Sequence, residues 1–466
     1  MELKNKVTTF LVAVFMFSNL APLSAYAVQE GKLTRAEKKQ MQAQVQRKES
    51  ALEIVNFAWW EDFEDEYLNS YILRAIEHNQ DLKIATLRVE EARQAMKMQF
   101  ASELPSFSVG ASPAVLKLPG ATNSVGSFAV PIVASYELDL FLKNRDKTKS
   151  AKKLWEASKF QEKSAYISIV SAVGTCYYNI VKLDKLIALQ EEIIKDRKTI
   201  YELMSLRNKY GITSTADVVR AEKAYVFATS DMYELKKARE IALNALAVLV
   251  GDSPNNIAEY KRIAYDNIKS EKAIPETISS EVITSRPDYL VAEKMVDKSR
   301  LDVRVAKKEF LPTIDILGML SFASTSISNM GSMNWTNAVA GAGGMVNLPL
   351  FTGGRKITNL KLASNKYQQV LENYHKTNLT AIQEVNDALA TLKIDNEKYL
   401  KNDLAYKMEE KDYKYTTLRY ENGTISKLDL LQRKEALLSI EKMVVSSRVN
   451  NQINQIGLYK STAAAL

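Results

Sequence analysis

The most informative segment of the sequence is Gly211-Ile212-Thr213-Ser214-Thr215-Ala216-Asp217-Val218-Val219, because the chain contains its pattern twice. The second copy is Gly423-Thr424-Ile425-Ser426-Lys427-Leu428-Asp429-Leu430-Leu431, with glycine, serine, aspartate and two aliphatic residues at the same spacing. Each copy separates two long amphipathic segments, so each predicts a turn between two helices. A period of about 210 residues is too long for a solenoid repeat. The sequence therefore predicts a duplicated half-protein.

Both turns carry the residues of a helix capping box. Ser214 precedes Asp217 by three residues, and Ser426 precedes Asp429 by three. At this spacing a serine caps the start of a helix, and the acid reaches back to the serine backbone. The helix dipole also favours an acid in the first turn. The pattern predicts that both aspartates cap the helices that follow the turns.

The segment 1–27 predicts a cleaved signal peptide. Lys4 and Lys6 precede the apolar run 10–17, and Ala25-Tyr26-Ala27 supplies the small-x-small cleavage pattern. The run is far shorter than the ~20 residues of a membrane-spanning helix. We expect the mature chain to begin near Val28, outside the cytoplasm. Since no other run is long enough to span as a helix, a membrane role would require a closed β-barrel.

Composition disfavours several classes of function. Cys176 is the only cysteine, so no disulfide can form within the chain and no lipidated cysteine is available at the mature N-terminus. The two histidines leave little for metal binding or acid–base chemistry. Basic residues exceed acidic ones by 8, but the charges are dispersed along helical faces, unlike a nucleic-acid groove. We expect no enzymatic activity, no cofactor, no metal and no nucleic-acid partner.

The chain repeats one order of patterns: a helix, two alternating strands, a very long helix, a turn and a second long helix. Leu104-Pro105 and Leu311-Pro312 each end a helical pattern before the strands begin. The predicted divisions are a signal peptide at 1–27, a polar N-terminal segment at 28–58, repeat 1 at 59–250, a linker at 251–275 and repeat 2 at 276–466. Repeat 1 has its β-hairpin at about 104–141 and its helical tip at about 208–217; repeat 2 has them at about 311–351 and 420–429.

The predicted fold class is mainly α with a small β part, in two tandem repeats. Four strands cannot close a barrel alone, but their alternating faces and length of about ten residues fit strands that cross an outer membrane. Three chains would give a closed barrel of twelve strands, with the long helices continuing from one end as a coiled-coil barrel. The alternative from these patterns is a soluble helical coiled-coil protein with small β tips.

These residues resemble the trimeric TolC-type outer-membrane efflux proteins over nearly the whole mature chain. Two departures from that family stand out: the missing lipidated cysteine, and the sequence Asp139-Leu140-Phe141-Leu142-Lys143, which lacks the glycine usually found after the phenylalanine. The second departure leaves the bend from strand to helix open. The elements that carry the resemblance are Trp59-Trp60 with Phe63 and Leu68, Asn79 with Asp81-Leu82, Leu104-Pro105, Asp139-Leu140-Phe141, Arg286-Pro287-Asp288 with Ala292-Glu293, Leu311-Pro312, Pro349-Leu350-Phe351 with Gly353-Gly354-Arg355, and the two turns.

The resemblance, which is strongest to the outer-membrane factors of resistance–nodulation–division efflux systems, implies a passive exit duct. A homotrimer would cross outer-membrane lipid as a barrel and the periplasm as a helical tunnel. It would receive drugs, metals or other small compounds from an inner-membrane transporter through a periplasmic adaptor. The alternatives are an outer-membrane conduit of type I protein secretion and, less favoured, a soluble periplasmic coiled-coil adaptor.

By the same resemblance, the two turns form the periplasmic gate and the adaptor contact. The gate candidates are Asp217, Asp429 and Gln432. Asp429 would form an acidic ring under threefold symmetry, whereas Gln432 stands where some relatives place a second acid. The contact candidates are Gly211, Ile212, Thr213, Ser214, Gly423, Thr424, Ile425 and Ser426. The alternative for Gly211 and Gly423 is a local role, in which each glycine provides the left-handed backbone conformation at the end of a helix.

Overall fold

The computed structural model describes residues 59–116, 125–254, 260–269, 278–279, 281–324 and 338–463. The predicted signal peptide and the polar segment 28–58 lie outside these residues, as does part of the linker 251–275. The helices are α1 (Glu66–His78), α2 (Gln80–Ala101), α3 (Lys143–Lys209), α4 (Thr215–Val250), α5 (Glu281–Ser285), α6 (Pro287–Lys308), α7 (Arg355–Glu421) and α8 (Lys427–Ser461). The strands are β1 (Ser106–Val109), β2 (Ser112–Leu116), β3 (Val125–Leu138), β4 (Thr313–Ser324) and β5 (Ala338–Asn347).

The duplication is visible in the lengths of the helices. α2 and α6 each have 22 residues, and α3 and α7 each have 67. α4 has 36 residues and α8 has 35. At 1.5 Å per residue, each 67-residue helix is roughly 100 Å long. The predicted order of a helix, strands, a very long helix, a turn and another long helix is therefore present twice.

α3 contacts more of the other helices than any other element described. Along its first half it packs between α2 and α6, where the Thr86 hydroxyl donates to Glu162 at 2.6 Å and Arg304 pairs with Asp146 at 3.1 Å. Along its second half it packs between α4 and α8. α7 packs against α6 and then α8. The helices thus form two four-helix layers that share the long helices, in the order α2–α3–α6–α7 along their first half and α4–α3–α8–α7 along their second half.

The strands form an antiparallel sheet in the order β1–β3–β4–β5, with β2 also paired to β3. β3 and β4 join the two repeats, and Val133 lies opposite Met319 at the centre of their pairing. β1 and β2 keep one register, since Val109 faces Ile132 and Ser112 faces Ala129. β1 and β2 therefore lie end to end in one strand position beside β3. The sheet is four strands wide, as predicted.

Within the predicted hairpin, the residues 112–127, rich in Gly, Pro, Asn and Ser, predict a loop before an apolar strand at 128–140, and the structure corrects that prediction. Residues 112–116 form β2, and β3 begins at Val125 rather than Phe128. The interruption between β1 and β2 lies opposite Pro131, which has no N–H to donate across the ladder. Gly110 still donates to the Pro131 carbonyl at 2.9 Å. One missing hydrogen-bond donor thus divides a strand that would otherwise be continuous.

The apolar residues after Trp59 recur at three- and four-residue spacings as far as Ile76, which predicts a helix, and the structure divides this region. Trp59–Phe63 forms a short 3₁₀ helix, and α1 begins after Asp65, whose carboxylate accepts from the backbone N–H groups of Tyr67 and Leu68. Asn79 then separates α1 from α2 and accepts from Leu82 N–H at 3.1 Å. Local capping by acid and amide side chains therefore divides one apolar periodicity into shorter helices.

The buried core lies where the N-terminal helices pack on α3, α4 and α8. Trp59 stacks on Tyr459 with ring centroids 5.2 Å apart, and Trp60 is 2% exposed. The Tyr177 hydroxyl donates to Asp65 at 2.7 Å and accepts from Ile263 N–H at 3.0 Å. The buried Tyr177 hydroxyl therefore has two hydrogen-bond partners, one at the start of α1 and one in the segment 260–269.

A buried arginine connects the end of α8 to the start of α6. The Arg286 guanidinium donates to the Ser461 carbonyl at 2.7 Å and to both carboxylate oxygens of Asp288 at 3.0 and 2.7 Å. It also pairs with Glu384 on α7. These contacts join the end of α8, in one four-helix layer, to the start of α6 in the other. The Arg286-Pro287-Asp288 element therefore has a structural role at this junction.

Candidate gate and docking turns

The first turn, between α3 and α4, closes as a Schellman motif. Gly211 has φ +71° and donates to the Asn208 carbonyl at 2.8 Å, and Ile212 donates to the Arg207 carbonyl at 2.9 Å. The two bonds satisfy carbonyls that the end of a helix otherwise leaves unpaired. The Asn208 side chain adds a bond to the Thr213 carbonyl at 2.8 Å. Gly211 therefore has a conformational reason to be glycine.

The second turn, between α7 and α8, repeats this geometry. Gly423 has φ +68° and donates to the Tyr420 carbonyl at 2.9 Å. Thr424 donates to the Arg419 carbonyl from its backbone at 2.9 Å and from its hydroxyl at 2.8 Å. Two stretches in different halves of the sequence thus fold into the same local structure.

Both predicted capping boxes are present, which confirms the capping prediction for the two aspartates. In the first turn, Asp217 N–H donates to the Ser214 hydroxyl at 3.2 Å, and Ser214 N–H donates back to the carboxylate at 3.4 Å. In the second, the corresponding distances between Asp429 and Ser426 are 3.3 and 3.0 Å. Each serine hydroxyl also donates to the carboxylate at 2.7 Å. The turns are therefore fixed by hydrogen bonds on both sides.

The two aspartates differ in their electrostatic surroundings. Asp217 pairs with Arg220, one helical turn along α4. The hydrogen bond from Ser214 and the contact with Arg220 lower the pKa of Asp217 to about 2. Gln432 follows Asp429 at the same spacing and takes the place of Arg220 in the second repeat. The first turn thus neutralises its acid with a neighbouring cation, and the second has an amide in that place.

Asp429 is exposed, and its charge is stabilised differently. Hydrogen bonds from Ser426 lower its pKa, and the more distant charges of Arg207 and Arg419 act in the same direction. Among the described residues, no cation lies within salt-bridge distance of Asp429. Arg207 belongs to the first turn, so the two turns of one chain lie within electrostatic range of each other. Both capping aspartates are therefore ionised at neutral pH, and Asp429 is the one of the two whose carboxylate has no paired cation among the described residues.

The predicted contact residues are accessible. Thr213 and Ile425 are half-buried, and Gln432 is exposed beside the second turn. Sequence reasoning missed Arg220, Tyr210 and Asn208; extending the alignment of the two turns in both directions would have identified the Arg220–Gln432 difference. The exposed members of the predicted set are Gly211, Ile212, Ser214, Gly423, Thr424 and Ser426.

Polar contacts between α3 and α8 hold the two hairpins side by side above the turns. Arg197 pairs with Glu435 and also donates to the Ala224 carbonyl at 3.0 Å. At the adjacent residues, the Lys434 ammonium lies 2.9 Å from the Asp196 carboxylate. These side chains are mostly buried or half-buried, so their ion pairs are screened less than pairs on an open surface.

Within the part of the chain that the structure describes, no helix combines the length and apolar character of a membrane span. In the same residues no group of three histidine, cysteine, aspartate or glutamate side chains is arranged to hold a metal ion.

The sequence matches the family described as outer membrane efflux protein over residues 71–252 and 278–464. The chain belongs to this family. The two matched segments correspond to the two repeats: the first runs from within α1 to just past the end of α4, and the second from before α5 to just past the end of α8. The family resemblance stated from the sequence is thereby confirmed.

Individual relatives agree in both sequence and fold. The cation efflux system protein CusC of Escherichia coli O157:H7 is 26% identical over 87% of each chain. The outer membrane protein OprJ of Pseudomonas aeruginosa is 27% identical over 90% of this chain and 88% of that protein. The crystal structure of the Campylobacter jejuni outer membrane channel CmeC superposes with a TM-score of 0.81, at 25% identity over 88% of each chain. The predicted mainly α fold with a small β part is confirmed by these structures.

Proposed function

We propose that this protein is the outer-membrane exit duct of a tripartite efflux pump. The observation that carries the proposal is the pair of 67-residue helices, each joined at one end to a strand of a four-strand-wide sheet and at the other to a capped turn. A helix of roughly 100 Å is far longer than a globular core requires, but it suits a tunnel across the periplasm. The relatives include a cation efflux protein and a toluene efflux protein, so the proposed cargo stays broad: metals, drugs or other small compounds.

The sheet supports assembly of three copies. Its outer strands, β1 and β5, each have one partner in the described chain and can accept another strand. Apolar side chains on one face of it are open to solvent in the single chain, among them Phe107 (75% exposed), Val109 (57%) and Val346 (66%). Three copies would join edge to edge into twelve strands, with an apolar outer surface facing lipid. We therefore propose a homotrimer in the outer membrane, working with an adaptor and an inner-membrane transporter.

Fractionation and conductance test this proposal together. The protein should be extracted from the outer-membrane fraction as a trimer that dissociates on heating, and the purified trimer should form channels in planar lipid bilayers. A soluble periplasmic monomer without conductance would contradict the proposal.

For the gate, we propose that Asp429 from three copies forms an acidic ring at the tunnel mouth. The support is its exposed, ionised carboxylate and the glutamine at the position where Arg220 neutralises Asp217. Asp429→Ala should lower cation selectivity in single-channel recordings, and Asp217→Ala is the matched control, with little effect expected. If selectivity and conductance are unchanged in Asp429→Ala, the ring proposal is wrong.

For docking, we propose that the exposed residues of both turns, 211–214 and 423–426, contact the adaptor. A helical hairpin from a partner could approach closely because neither glycine has a side chain and nothing lies within 4 Å of where a Cβ would be. Photocrosslinkers placed at Thr213 and Thr424 should link the protein to an adaptor of the producing cell. Absence of crosslinks at both positions would contradict this contact.

A further inference from the structure

The two turns share a backbone but differ in the side chains that they expose. In the first turn, Tyr210 and Ile212 flank the glycine, with 70% and 64% of their surfaces open to solvent. At the corresponding positions the second turn has Asn422 and Thr424, both exposed. The folding requirement is the same at both turns, since Gly211 and Gly423 make the same pair of helix-end hydrogen bonds. Folding therefore does not account for an aromatic and an aliphatic side chain at one turn only.

The two turns also differ in the charged residues around them. Residues 205–220 contain three basic residues and one acidic residue: Arg207, Lys209, Arg220 and Asp217. The equivalent residues 417–432 contain two of each: Arg419, Lys427, Glu421 and Asp429. The first turn is therefore apolar at its tip and positively charged around it, and the second is polar and has no net charge.

We propose that the first turn supplies most of the adaptor-binding energy, with Tyr210 and Ile212 inserting into an apolar pocket bordered by carboxylates at the end of the adaptor's helical hairpin. This inference rests on the proposed function. Aromatic side chains that enter a desolvated pocket commonly dominate the energy of an interface. The surrounding basic residues would attract an acidic surface and set the orientation of the encounter.

Charge also argues against a second copy of this chain as the occupant of the first turn. Two first turns brought together would place Lys209 and its basic neighbours against the same residues of the other copy, which is repulsive. An acidic partner removes this repulsion. In this arrangement the second turn contributes contacts of lower energy and leaves Asp429 open to the passage.

The experiment exchanges the chemistry of one turn and keeps its backbone. Tyr210→Asn combined with Ile212→Thr gives the first turn the side chains of the second. The matched control is Asn422→Ala, which changes the exposed residue equivalent to Tyr210 and lies outside the proposed contact residues 423–426. Binding of each purified periplasmic adaptor of the producing organism to the detergent-solubilised trimer is measured at low and high salt. Trimer content on unheated gels and bilayer conductance are measured for the same samples.

We expect the exchange at the first turn to weaken adaptor binding at least about tenfold, with the control within about twofold of the wild type. Lys209→Glu should weaken binding as well, and higher salt should weaken the wild type. Equal losses for exchange and control, or none for the exchange, would overturn the inference. A lower trimer content with unchanged binding per trimer would also overturn it, because the residues would then contact another copy.

Failure of the proposed function has a different signature. If the wild-type trimer neither conducts nor binds any of the adaptors, the proposed function itself is wrong. If it conducts and binds but the two turns contribute equally, only the present inference is wrong.

Discussion

Leu142 and Gly354 adopt the same left-handed backbone, with φ +57° and +80°, each directly before the first residue of a 67-residue helix. For a residue with a Cβ this conformation costs about 1–2 kcal/mol. Asp139 helps to hold the bend, since its carboxylate accepts from Asn144 N–H at 3.1 Å and Arg145 N–H at 2.8 Å. The bend that the missing glycine left open therefore forms, with leucine in the position that glycine fills in the second repeat.

Replacing this leucine should relieve the strain. Leu142→Gly is expected to stabilise the protein by at most about 1 kcal/mol, because the added freedom of glycine in the unfolded chain offsets part of the gain. The reciprocal change, Gly354→Leu, should destabilise it by about 1–2 kcal/mol. The measurement is the thermal midpoint of the purified trimer. A lower midpoint for Leu142→Gly would show that leucine packing at this bend outweighs the strain.

Three glycines with positive φ should respond differently to alanine. Gly211→Ala and Gly423→Ala should each lose about 1 kcal/mol, since only backbone strain opposes the new side chain. Gly251 has φ +80°, and its Cβ would lie 2.6 Å from the His78 carbonyl oxygen. Gly251→Ala should therefore destabilise the protein several times as much as either of the other two substitutions. The thermal midpoints of the three variants provide the measurement. Equal effects at all three sites would contradict the packing at Gly251.

Gln432→Arg should place beside Asp429 the partner that Arg220 provides for Asp217. We expect a partial loss of cation selectivity, smaller than that of Asp429→Ala, because an exposed pair contributes only about 0.2–1 kcal/mol. The capping box and the fold should be retained. Arg220→Gln is the control: it removes the cation from beside Asp217 and should not lower cation selectivity. If selectivity changes in Arg220→Gln but not in Gln432→Arg, Asp217 and not Asp429 is the acid that determines selectivity.

The pKa shifts at the turns predict insensitivity to pH in the neutral range. The folded pKa values of Asp217 (about 2) and Asp429 (lowered) lie below their ordinary values. Their contribution to stability is therefore present above the unfolded pKa of ~3.9 and is lost as pH falls through the folded value. Reversal potentials measured between pH 5 and 8 should give constant selectivity. A titration with a midpoint inside this range would contradict the assignment of selectivity to a capped carboxylate.

Arg286→Ala should destabilise the protein by about 2–3 kcal/mol, because it leaves the buried Ser461 carbonyl without its charged donor. Asp288 and Glu384 are half-exposed and can be rehydrated, which limits the loss. Arg286→Lys should recover only part of the stability, since an ammonium cannot reproduce the two-atom contact with Asp288. Thermal unfolding of both variants provides the measurement. Full recovery by lysine would show that charge alone matters at this position.

Elements determined by neighbouring residues could be predicted from the sequence. The capping of Asp217 by Ser214 spans three residues, and the need for glycine at Gly211 follows from a helix end next to it. The strand interruption at 110–111 could not be predicted in the same way. It arises because Pro131, on the partner strand, faces that point of the ladder, which depends on the register of pairing.

Periodicity, caps and turn glycines act over a few residues, so the repeated order of elements, the two capped turns and membership in the efflux family follow from the sequence alone. Which faces of the long helices meet depends on tertiary packing. Arg197 and Glu435 are 238 residues apart, and Arg286 and Ser461 are 175 apart, yet both pairs are in contact. Many charged residues on these helices could have formed such pairs. The packing of α8 against α3 and α7 selects among them, since it brings only certain faces of the helices together.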